Sequence, residues 1–423
     1  MNIFMETKES KICNTAISVL QKLMDDTKCK NELELKNKYK NKLNLILNSP
    51  IIANMPIVLY RSRLASKVHE DITLPSTFSY FPLTKTLNGT PQRGRMNLSG
   101  QSFFYASSSP NTNYKEIKKD IKEGDEVYLS QWKITANSGL SIYSVILPNN
   151  ISTSADKNIC ICINNPNIAN GPFGDYLRCL SNIILKKEDD VNKEYLASSI
   201  ISNEILVETK GKSYKGKDGV ETPFHYDAIA YPSTRIGNGE AQYYNLVITP
   251  QFIDNYASLN YVVKGTIKKD LQSIDVKNIG FNNNGTIEWY EPFVNIDDVI
   301  FNPIGFIDKY GNFFSIENGI PRDLNGKLIL KNELQNFLNK EETNIIKEFT
   351  ERRFIIPEFS YGEILNKESL IKEYTLDFFR EVKEWKLERD GIIHDITLLK
   401  IEMTCKLSLN KNNIIYTQLP HVT

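Results

Sequence analysis

The amino-acid sequence predicts an α+β protein of two or three domains. The chain has 423 residues, and a domain typically takes roughly 100–200 residues. Helical and strand-like segments alternate irregularly, without a repeated strand–helix–strand unit, which favours α+β over a doubly wound α/β fold. Hydrophobic residues make up 41% of the chain and charged residues 24%. These fractions are typical of globular proteins, so a disordered chain is excluded.

Charge and targeting patterns restrict the partners. The 51 Lys and Arg residues balance 51 Asp and Glu residues, and a nucleic-acid coat protein would need a basic surplus. No apolar run reaches the roughly 18 residues that cross a membrane. Residues 1–9 show no basic stretch followed by an apolar one, which would mark a secretion signal. The six cysteines are scattered, so we expect reduced thiols in a cytoplasmic protein.

Residues 1–50 are predicted as a helical N-terminal segment. Apolar residues recur there at helical spacing, first as Ile12, Ala16, Val19 and Leu23, then as Leu35, Tyr39, Leu43 and Ile46. Pro50 ends the segment, because proline cannot continue a helix. Two readings stay open: the helices pack on the following domain, or they form a surface for a partner or a second copy of the chain.

Residues 51–255 are predicted as a domain of short strands and a few helices. Apolar and aromatic runs mark the strands, which fall at 57–60, 102–106, 127–129, 142–147, 227–231 and 245–248. One helix would carry Tyr114, Ile117 and Ile121 on one face and end before Gly124, and a second would cover 193–206. Residues 150–175 are rich in Asn, Pro and Gly and are expected to form a loop.

Residues 256–423 are predicted as an additional α+β region of unknown role. The stretch from 256 to about 301 is strand-like, with an Asn-Asn-Asn-Gly turn at 282–285. Over 366–388 the spacing predicts an amphipathic helix, whose apolar stripe is formed by Ile371, Tyr374, Phe378, Val382 and Trp385.

Common nucleotide and metal motifs are missing from the sequence. Gly211-Lys212-Ser213 would need a glycine at 206 to form a phosphate loop, and leucine stands there. The four histidines lie far apart, and Cys160-Ile-Cys162 has no matching second pair, so no metal site is expected. No Gly-x-Ser-x-Gly element suggests a nucleophilic serine.

Four short elements of 51–255 hold the residues that could carry chemistry. They are Tyr60-Arg61-Ser62-Arg63, Gly94-Arg95-Met96-Asn97, the aromatic strand with Tyr105 followed by Glu116, and Tyr231-Pro232-Ser233. Guanidinium groups suit phosphate oxygens, and a tyrosine ring can stack on a base. A carboxylate can hold ribose hydroxyls and stabilise an oxocarbenium-like transition state. A dinucleotide with a pyrophosphate and a cleavable glycosidic bond would use all of these groups.

Each element also has a purely structural interpretation. Asn113-Tyr-Lys-Glu116 fits a capping box, in which Glu116 would bond a backbone donor. Arg61 and Arg63 could be edge-strand charges, Tyr105 a core residue and Ser233 a turn residue. Local sequence leaves both interpretations open for each element.

In their order and spacing, the four elements resemble the RES domain family, named for its Arg, Glu and Ser. The resemblance runs from Tyr60-Arg61-x-Arg63 through Gly94-Arg95-x-Asn97, Phe104-Tyr105-x-Ala and Glu116 to Asp227-Ala-Ile-Ala-Tyr-Pro-Ser233. It extends to Asn245-Leu-Val-Ile-Thr-Pro250 and covers about half of the chain. Members are often shorter, and the helical N-terminal segment and the C-terminal region depart from the family pattern.

The resemblance implies an ADP-ribosyltransferase-like split mixed β-sheet with NAD+ in its cleft. Family members are toxins of bacterial toxin–antitoxin systems that deplete NAD+ by breaking the nicotinamide–ribose bond, through hydrolysis or phosphorolysis. NAD+ would be the substrate, with no separate cofactor. Carried over by position, the catalytic residues are Arg61, Tyr105, Glu116 and Ser233. The NAD+-binding residues are Arg61 or Arg63, with Arg95, Tyr105 and Ser233.

Two other functions remain open at this level. An ADP-ribosyltransferase that modifies a macromolecule would use the same fold and nearly the same site. A non-catalytic NAD+-binding module in a regulatory assembly would keep the binding residues alone. An antitoxin or regulatory protein and a second copy of the chain are the partners that the resemblance leaves open; nucleic acid and membrane are not expected.

Overall fold

The structure is a computed structural model. It describes residues 8–28, 31–43, 45, 51–53, 56–81, 91–110, 113, 121–145, 171–185, 195–209, 212–215, 221–233, 244–268, 274–294, 300–311, 313–317, 320–322, 373–389 and 392–412. These residues form a mixed α+β protein with mostly antiparallel strands and few helices, so the predicted class is confirmed. Contacts divide the described residues into two compact units, one within Met1–Ile274 and Asn282–Ile287, the other within Asp275–Phe281 and Glu288–Ile415.

The first unit begins with two helices, α1 (Lys8–Asp26) and α2 (Glu32–Tyr39), as the helical periodicity predicts. α1 buries Cys13, Ala16, Leu20 and Leu23 on one face. A capping box opens α2, since the Asn31 side chain accepts from the Glu34 amide and the Glu34 carboxylate accepts from the Asn31 amide. The helix pair also contacts the rest of the unit, because the Asn41 amide donates to Glu204 over 3.1 Å.

The sheet of the first unit has eight strands in the order β1-β5-β8-β9-β3-β2-β4-β10. Their bounds are β1 Ile51–Ala53, β2 Ile57–Leu64, β3 Phe104–Ser107, β4 Glu126–Ile134, β5 Leu140–Ser144, β8 Ala228–Pro232, β9 Tyr244–Ile248 and β10 Ala257–Ile267. β5 and β8 pair in parallel, and the other described pairs are antiparallel. A separate hairpin joins β6 (Lys212–Lys215) to β7 (Glu221–Phe224).

Three further helices belong to this unit: α3 (Pro172–Leu185), α4 (Tyr195–Leu206) and α5 (Pro250–Tyr256). α4 matches the predicted helix, whereas α3 begins inside the stretch that was expected to be a loop. α1, α3 and α4 cover one face of the sheet, and their apolar residues form one buried cluster with Tyr143, Ile229, Tyr231 and Val247. This covered face is the main core of the unit.

The sheet opens between β2 and β3. β2 pairs with β4 through eight residues, from Ile57 to Leu64. With β3 it shares a single described pair, Tyr60 opposite Ser107. No further pair of these two strands is described, so this one pair joins the β2-β4-β10 part of the sheet to the β3-β9-β8-β5-β1 part.

A row of polar side chains crosses the sheet at this same pair. Directly opposite residues on six successive strands are Tyr261, Gln131, Tyr60, Ser107, Asn245 and Tyr231, and all six are buried. Gln131 donates to the hydroxyls of Tyr60 and Tyr261 over 3.0 and 3.1 Å, and Ser107 donates to Asn245 over 2.6 Å. Because a one-residue slip would turn each strand's side chains to the other face, this row fixes the register.

Seven further strands are described, and the turn between the first two belongs to the first unit. They are β11 Ile274–Asn283, β12 Thr286–Val294, β13 Ile300–Asp308, β14 Phe313–Glu317, β15 Ile320–Arg322, β16 Glu373–Arg389 and β17 Ile392–Asn412. The expected turn after β11 is confirmed, since Asn284 and Gly285 have φ of 48° and 86°, as a tight hairpin turn requires. β13 pairs with both β14 and β17.

The predicted helix over 366–388 is wrong, because residues 373–389 form the strand β16, which pairs with β17. Tyr374, Phe378 and Val382 are four residues apart. That spacing keeps residues on one helix face, and, being even, also keeps them on one face of a strand. The register shifts between Glu381 and Trp385.

Candidate functional site

Arg61 lies where the sheet opens. It is half-buried on β2, its Nη1 donates to the Tyr105 carbonyl oxygen over 2.9 Å, and its guanidinium carbon lies 5.7 Å from the Phe104 ring centroid, within cation–π range. Its Nε is buried without a hydrogen-bond partner. Among the described residues no carboxylate lies within ion-pair distance of it. Arg61 is therefore a cation without a counter-ion in the part of the chain that the structure describes.

Burial and the nearby positive charge of Arg63 lower the pKa of Arg61 to about 10. The guanidinium still carries its charge at pH 7, but burying that charge costs free energy, because desolvation disfavours the ionised form. An anion bound beside it would offset this cost. The electrostatics of Arg61 thus favour phosphate or another anion as a ligand.

Arg63 has a different environment. Its Nη1 donates to the Thr77 carbonyl, its Nη2 donates to the Lys67 carbonyl over 3.1 Å, and the same Nη2 lies 3.5 Å from a Glu70 carboxylate oxygen. All three partners belong to the loop that follows β2. Arg63 therefore anchors this loop, and of the two arginines Arg61 has the guanidinium that is available to an anion.

The element Gly94-Arg95-Met96-Asn97 forms a tight turn around the Tyr105 hydroxyl. That hydroxyl accepts from the Met96 amide over 2.9 Å and donates to Asn97 Oδ1 over 2.8 Å. A Cβ atom at Gly94 would collide with Asn97 Oδ1, which explains why glycine occupies the first position of this element. The two hydrogen bonds of the Tyr105 hydroxyl thus explain the spacing between the turn and the aromatic strand.

Tyr105 and Arg61 present their side chains on opposite faces of the sheet. Phe104 and Tyr105 are consecutive on β3, so their side chains point to opposite faces, and the Arg61 guanidinium lies against Phe104. Burial raises the pKa of the Tyr105 phenol, which keeps its hydroxyl neutral. The two residues meet through the Tyr105 carbonyl, and not side chain to side chain.

Arg95 joins the ends of α3 and α4. Its Nη1 donates to the Ile184 carbonyl in the last turn of α3 over 2.7 Å, where a cation is favoured by the helix dipole. Its guanidinium carbon lies 4.9 Å from the ring centroid of Tyr195, the first residue of α4. The Arg95 carbonyl also accepts from Ser198. These contacts explain Arg95 by packing, without reference to a ligand.

Ser233 follows β8 and is half-buried. β8 is separated from β2 by β9 and β3, which is three strand spacings or about 14 Å. Ser233 and Arg61 are therefore not in contact, and only an extended ligand could reach both.

Glu116, and with it the capping box expected of Asn113-Tyr-Lys-Glu116, lies outside the described residues. Asn113 is helical, and its amide donates to the Ser109 carbonyl over 3.1 Å, as inside a helix. Pro110 is helical too, and proline is favoured at the first position of a helix. Asn113 is thus an interior residue, and its side chain donates to Ser107 over 3.3 Å.

Four of the segments that carry the resemblance lie side by side on β2, β3, β9 and β8, and Gly94–Asn97 forms the turn that contacts β3. Four of the six members of the polar row are residues to which the sequence assigned no role: Tyr60, Ser107, Asn245 and Tyr231. Asn97 was quoted only as part of a motif, yet its Nδ2 donates to the carbonyls of Gln92, Leu98 and Gln101. The Gly-x-x-Asn spacing was the available signal for this turn.

Neither a metal centre nor a membrane-crossing helix is found in the described part of the chain. No group of three or more His, Cys, Asp or Glu side chains is arranged there to hold a metal ion. None of the described helices is long and apolar enough to cross a membrane. Comparison of the chain with protein-family models, with curated proteins and with solved structures finds no match.

Proposed function

We propose that this chain is a cytoplasmic enzyme that cleaves the nicotinamide–ribose bond of NAD+, as a RES-type toxin or defence effector. The observation that carries the proposal is Arg61. It is a half-buried cation next to the single described pair that joins β2 to β3, with no carboxylate partner among the described residues. Proteins seldom retain a buried charge without a partner. A pyrophosphate would supply the missing negative charge, and an ADP-ribosyltransferase-like fold would bind it at such an opening.

Arg61 is the residue to which we assign the phosphate contact. The donors of Arg63 are engaged by the loop after β2, and Arg95 is engaged by α3 and α4. Arg63 and Arg95 then act by shaping the site. Tyr105 would hold the turn beside it, and Ser233 would meet the far end of the extended dinucleotide.

The proposed reaction is dissociative. The bond between ribose C1′ and the nicotinamide nitrogen breaks, and its electron pair leaves with nicotinamide, which becomes neutral. The Glu116 carboxylate stabilises the positive charge that develops on the ribose. An oxygen of water or phosphate then bonds to C1′, and the attacking group loses its proton to Glu116 or solvent. The products are nicotinamide and either ADP-ribose or its 1-phosphate.

Release of free nicotinamide from NAD+ by the purified protein tests the proposal. We expect release by the wild type and a loss on the order of 100-fold in Glu116→Gln, by analogy with the removal of one electrostatic stabiliser. No release by the wild type, or equal release by Glu116→Gln, would contradict it. Assays with and without phosphate separate ADP-ribose from its 1-phosphate, and label transfer to a macromolecule would instead identify a transferase.

A further inference from the structure

We infer that Glu32, on the N-terminal helix pair, positions Arg61 for anion binding. The inference rests on the proposed function, because it concerns the same site. Glu32 lies in the first turn of α2 and has no place in the motifs that suggested the site. Its carboxylate nevertheless binds residues on both sides of the Gly94–Asn97 turn. That turn is bonded to Tyr105, whose carbonyl oxygen accepts from Arg61.

Three hydrogen-bonding contacts join Glu32 to residues 93–99. Oε1 accepts from the Ser99 amide over 2.9 Å, and Oε2 accepts from the Ser99 hydroxyl over 2.9 Å. Oε2 also lies 3.3 Å from Nη1 of Arg93, and only 21% and 19% of these two side chains are exposed. This partial burial makes the pair stronger than a solvated surface ion pair. A helix of the N-terminal segment is therefore tied to both ends of the Gly94–Asn97 turn.

The Gly94–Asn97 turn is in turn hydrogen-bonded to Tyr105. Gly94 and Asn97 are bonded to each other through the Gly94 amide and the Asn97 carbonyl at 3.1 Å. Asn97 Oδ1 and the Met96 amide bind the two sides of the Tyr105 hydroxyl. A displacement of the turn would therefore act on Tyr105 through its hydroxyl, while pairing with Val247 on β9 holds the backbone of Tyr105.

Tyr105 in turn holds Arg61 through its carbonyl oxygen. Near this contact β3 is not paired with β2, because the only described pair of the two strands is Tyr60 with Ser107. Among the described residues the guanidinium thus has one hydrogen-bond acceptor, besides its contact with the Phe104 ring. That acceptor belongs to the residue that the turn holds. The path from Glu32 to Arg61 consists of consecutive hydrogen bonds and one rigid turn.

Glu34 provides a matched control on the same helix. It is two residues away, and its carboxylate accepts from the Asn31 amide in the capping box. Glu34→Gln removes the same charge from the same helix turn but no contact with residues 93–99. A general loss of α2 stability would affect both variants, whereas positioning would affect Glu32→Gln alone.

Calorimetric titration with inorganic pyrophosphate tests the inference on the full chain. We expect the wild type to bind, Glu32→Gln to bind about tenfold more weakly, as for residues that act through a contact network, and Glu34→Gln to bind within about twofold of wild type. In an Arg61→Met background, Glu32→Gln should cause no further loss. Equal affinities of the two glutamate variants, or no binding by the wild type, would overturn the inference.

Two measurements keep the outcomes separate. Thermal unfolding checks that each variant is folded; if Glu32→Gln is not, Arg93→Gln, which removes the ion pair with Glu32, replaces it in the titration. Nicotinamide release is measured on the same samples. A protein that shows the expected pyrophosphate affinities but releases no nicotinamide contradicts the proposed reaction and supports the role of Glu32. A protein that cleaves NAD+ but binds pyrophosphate equally well as Glu32→Gln and as Glu34→Gln supports the proposed reaction and contradicts the role of Glu32.

Discussion

Arg61 donates a hydrogen bond of 2.9 Å to the carbonyl oxygen of Tyr105 across the place where β2 and β3 separate. The contact gives the guanidinium a fixed direction while its charge has no carboxylate partner among the described residues. Arg63, two residues further along β2, has three partners in the adjoining loop. This difference between neighbouring arginines leads to opposite expectations for their replacement.

Arg63→Met should destabilise the protein by about 1.5–3 kcal/mol, since hydrogen bonds to charged groups contribute about that much. Arg61→Met should be neutral or stabilising, because it removes a desolvated charge without a counter-ion. Urea unfolding of both variants at pH 7 measures the two effects. Equal destabilisation by both substitutions would show that Arg61 is a structural residue like Arg63.

Gly94→Ala should destabilise the protein by about 1–3 kcal/mol, because the added methyl group must displace Asn97 from its bonds. Asn97→Ala removes the Oδ1 atom with which the added methyl group would collide, together with the hydrogen bonds of the Asn97 side chain. In the double variant the two losses should therefore be less than additive, which a double-mutant cycle of unfolding free energies detects. Strict additivity would mean that the turn does not hold Gly94 against Asn97.

Tyr105→Phe should cost about 1–3 kcal/mol of unfolding free energy, because it leaves the Met96 amide without its acceptor. Tyr256→Phe is a suitable control, since that side chain is 43% exposed. Denaturant unfolding of both variants provides the comparison. A loss in Tyr105→Phe no larger than that in the control would contradict the described turn.

Because of Tyr80, the stability of the protein should depend on pH in the alkaline range. Burial and the hydrogen bond to Asp254 raise the pKa of Tyr80 to about 12, whereas the unfolded chain loses this proton near pH 10. Between these values the folded protein binds more protons, so the contribution of Tyr80 is complete below about pH 10 and is lost as the pH rises through 12. Wild type should therefore lose more stability than Tyr80→Phe between pH 9.5 and 11.5. Parallel unfolding curves of the two proteins would contradict this assignment.

Much of the first unit follows from local sequence. The apolar runs that predicted β2, β8 and β9 lie in strands, of which β8 and β9 are fully buried. The periodicity of α1 identified a helix, and α4 lies within the helix predicted at 193–206. α3 was missed because Asn, Pro and Gly accumulate just before it and mask its apolar residues. β16 was mistaken for a helix because a four-residue spacing satisfies both helix and strand. Its pairing with β17 decides between them, and that is tertiary information.

The sequence predicted which elements form the candidate site, but not how their side chains are arranged. Order along the chain identified elements of which Tyr60–Arg63, the Tyr105 strand and Tyr231–Ser233 lie on or next to strands of one sheet, while Gly94–Asn97 lies in a turn that contacts β3. It did not show that Phe104, and not Tyr105, faces the Arg61 guanidinium, since this depends on the strand register. Nor did it distinguish Arg61 from Arg63, because the partners of Arg63 come from a loop whose path local sequence does not define.

The steady-state kinetics of NAD+ cleavage by Arg61→Lys and Arg63→Lys test the central claim most directly. Lysine keeps the charge but loses the planar fork that binds phosphate. We predict that Arg61→Lys lowers kcat/KM at least about tenfold, the loss of one good charge-assisted contact. Arg63→Lys, once shown to be folded, should stay within about threefold of wild type. A larger loss in Arg63→Lys, or no loss in Arg61→Lys, would contradict the assignment of Arg61 to the pyrophosphate.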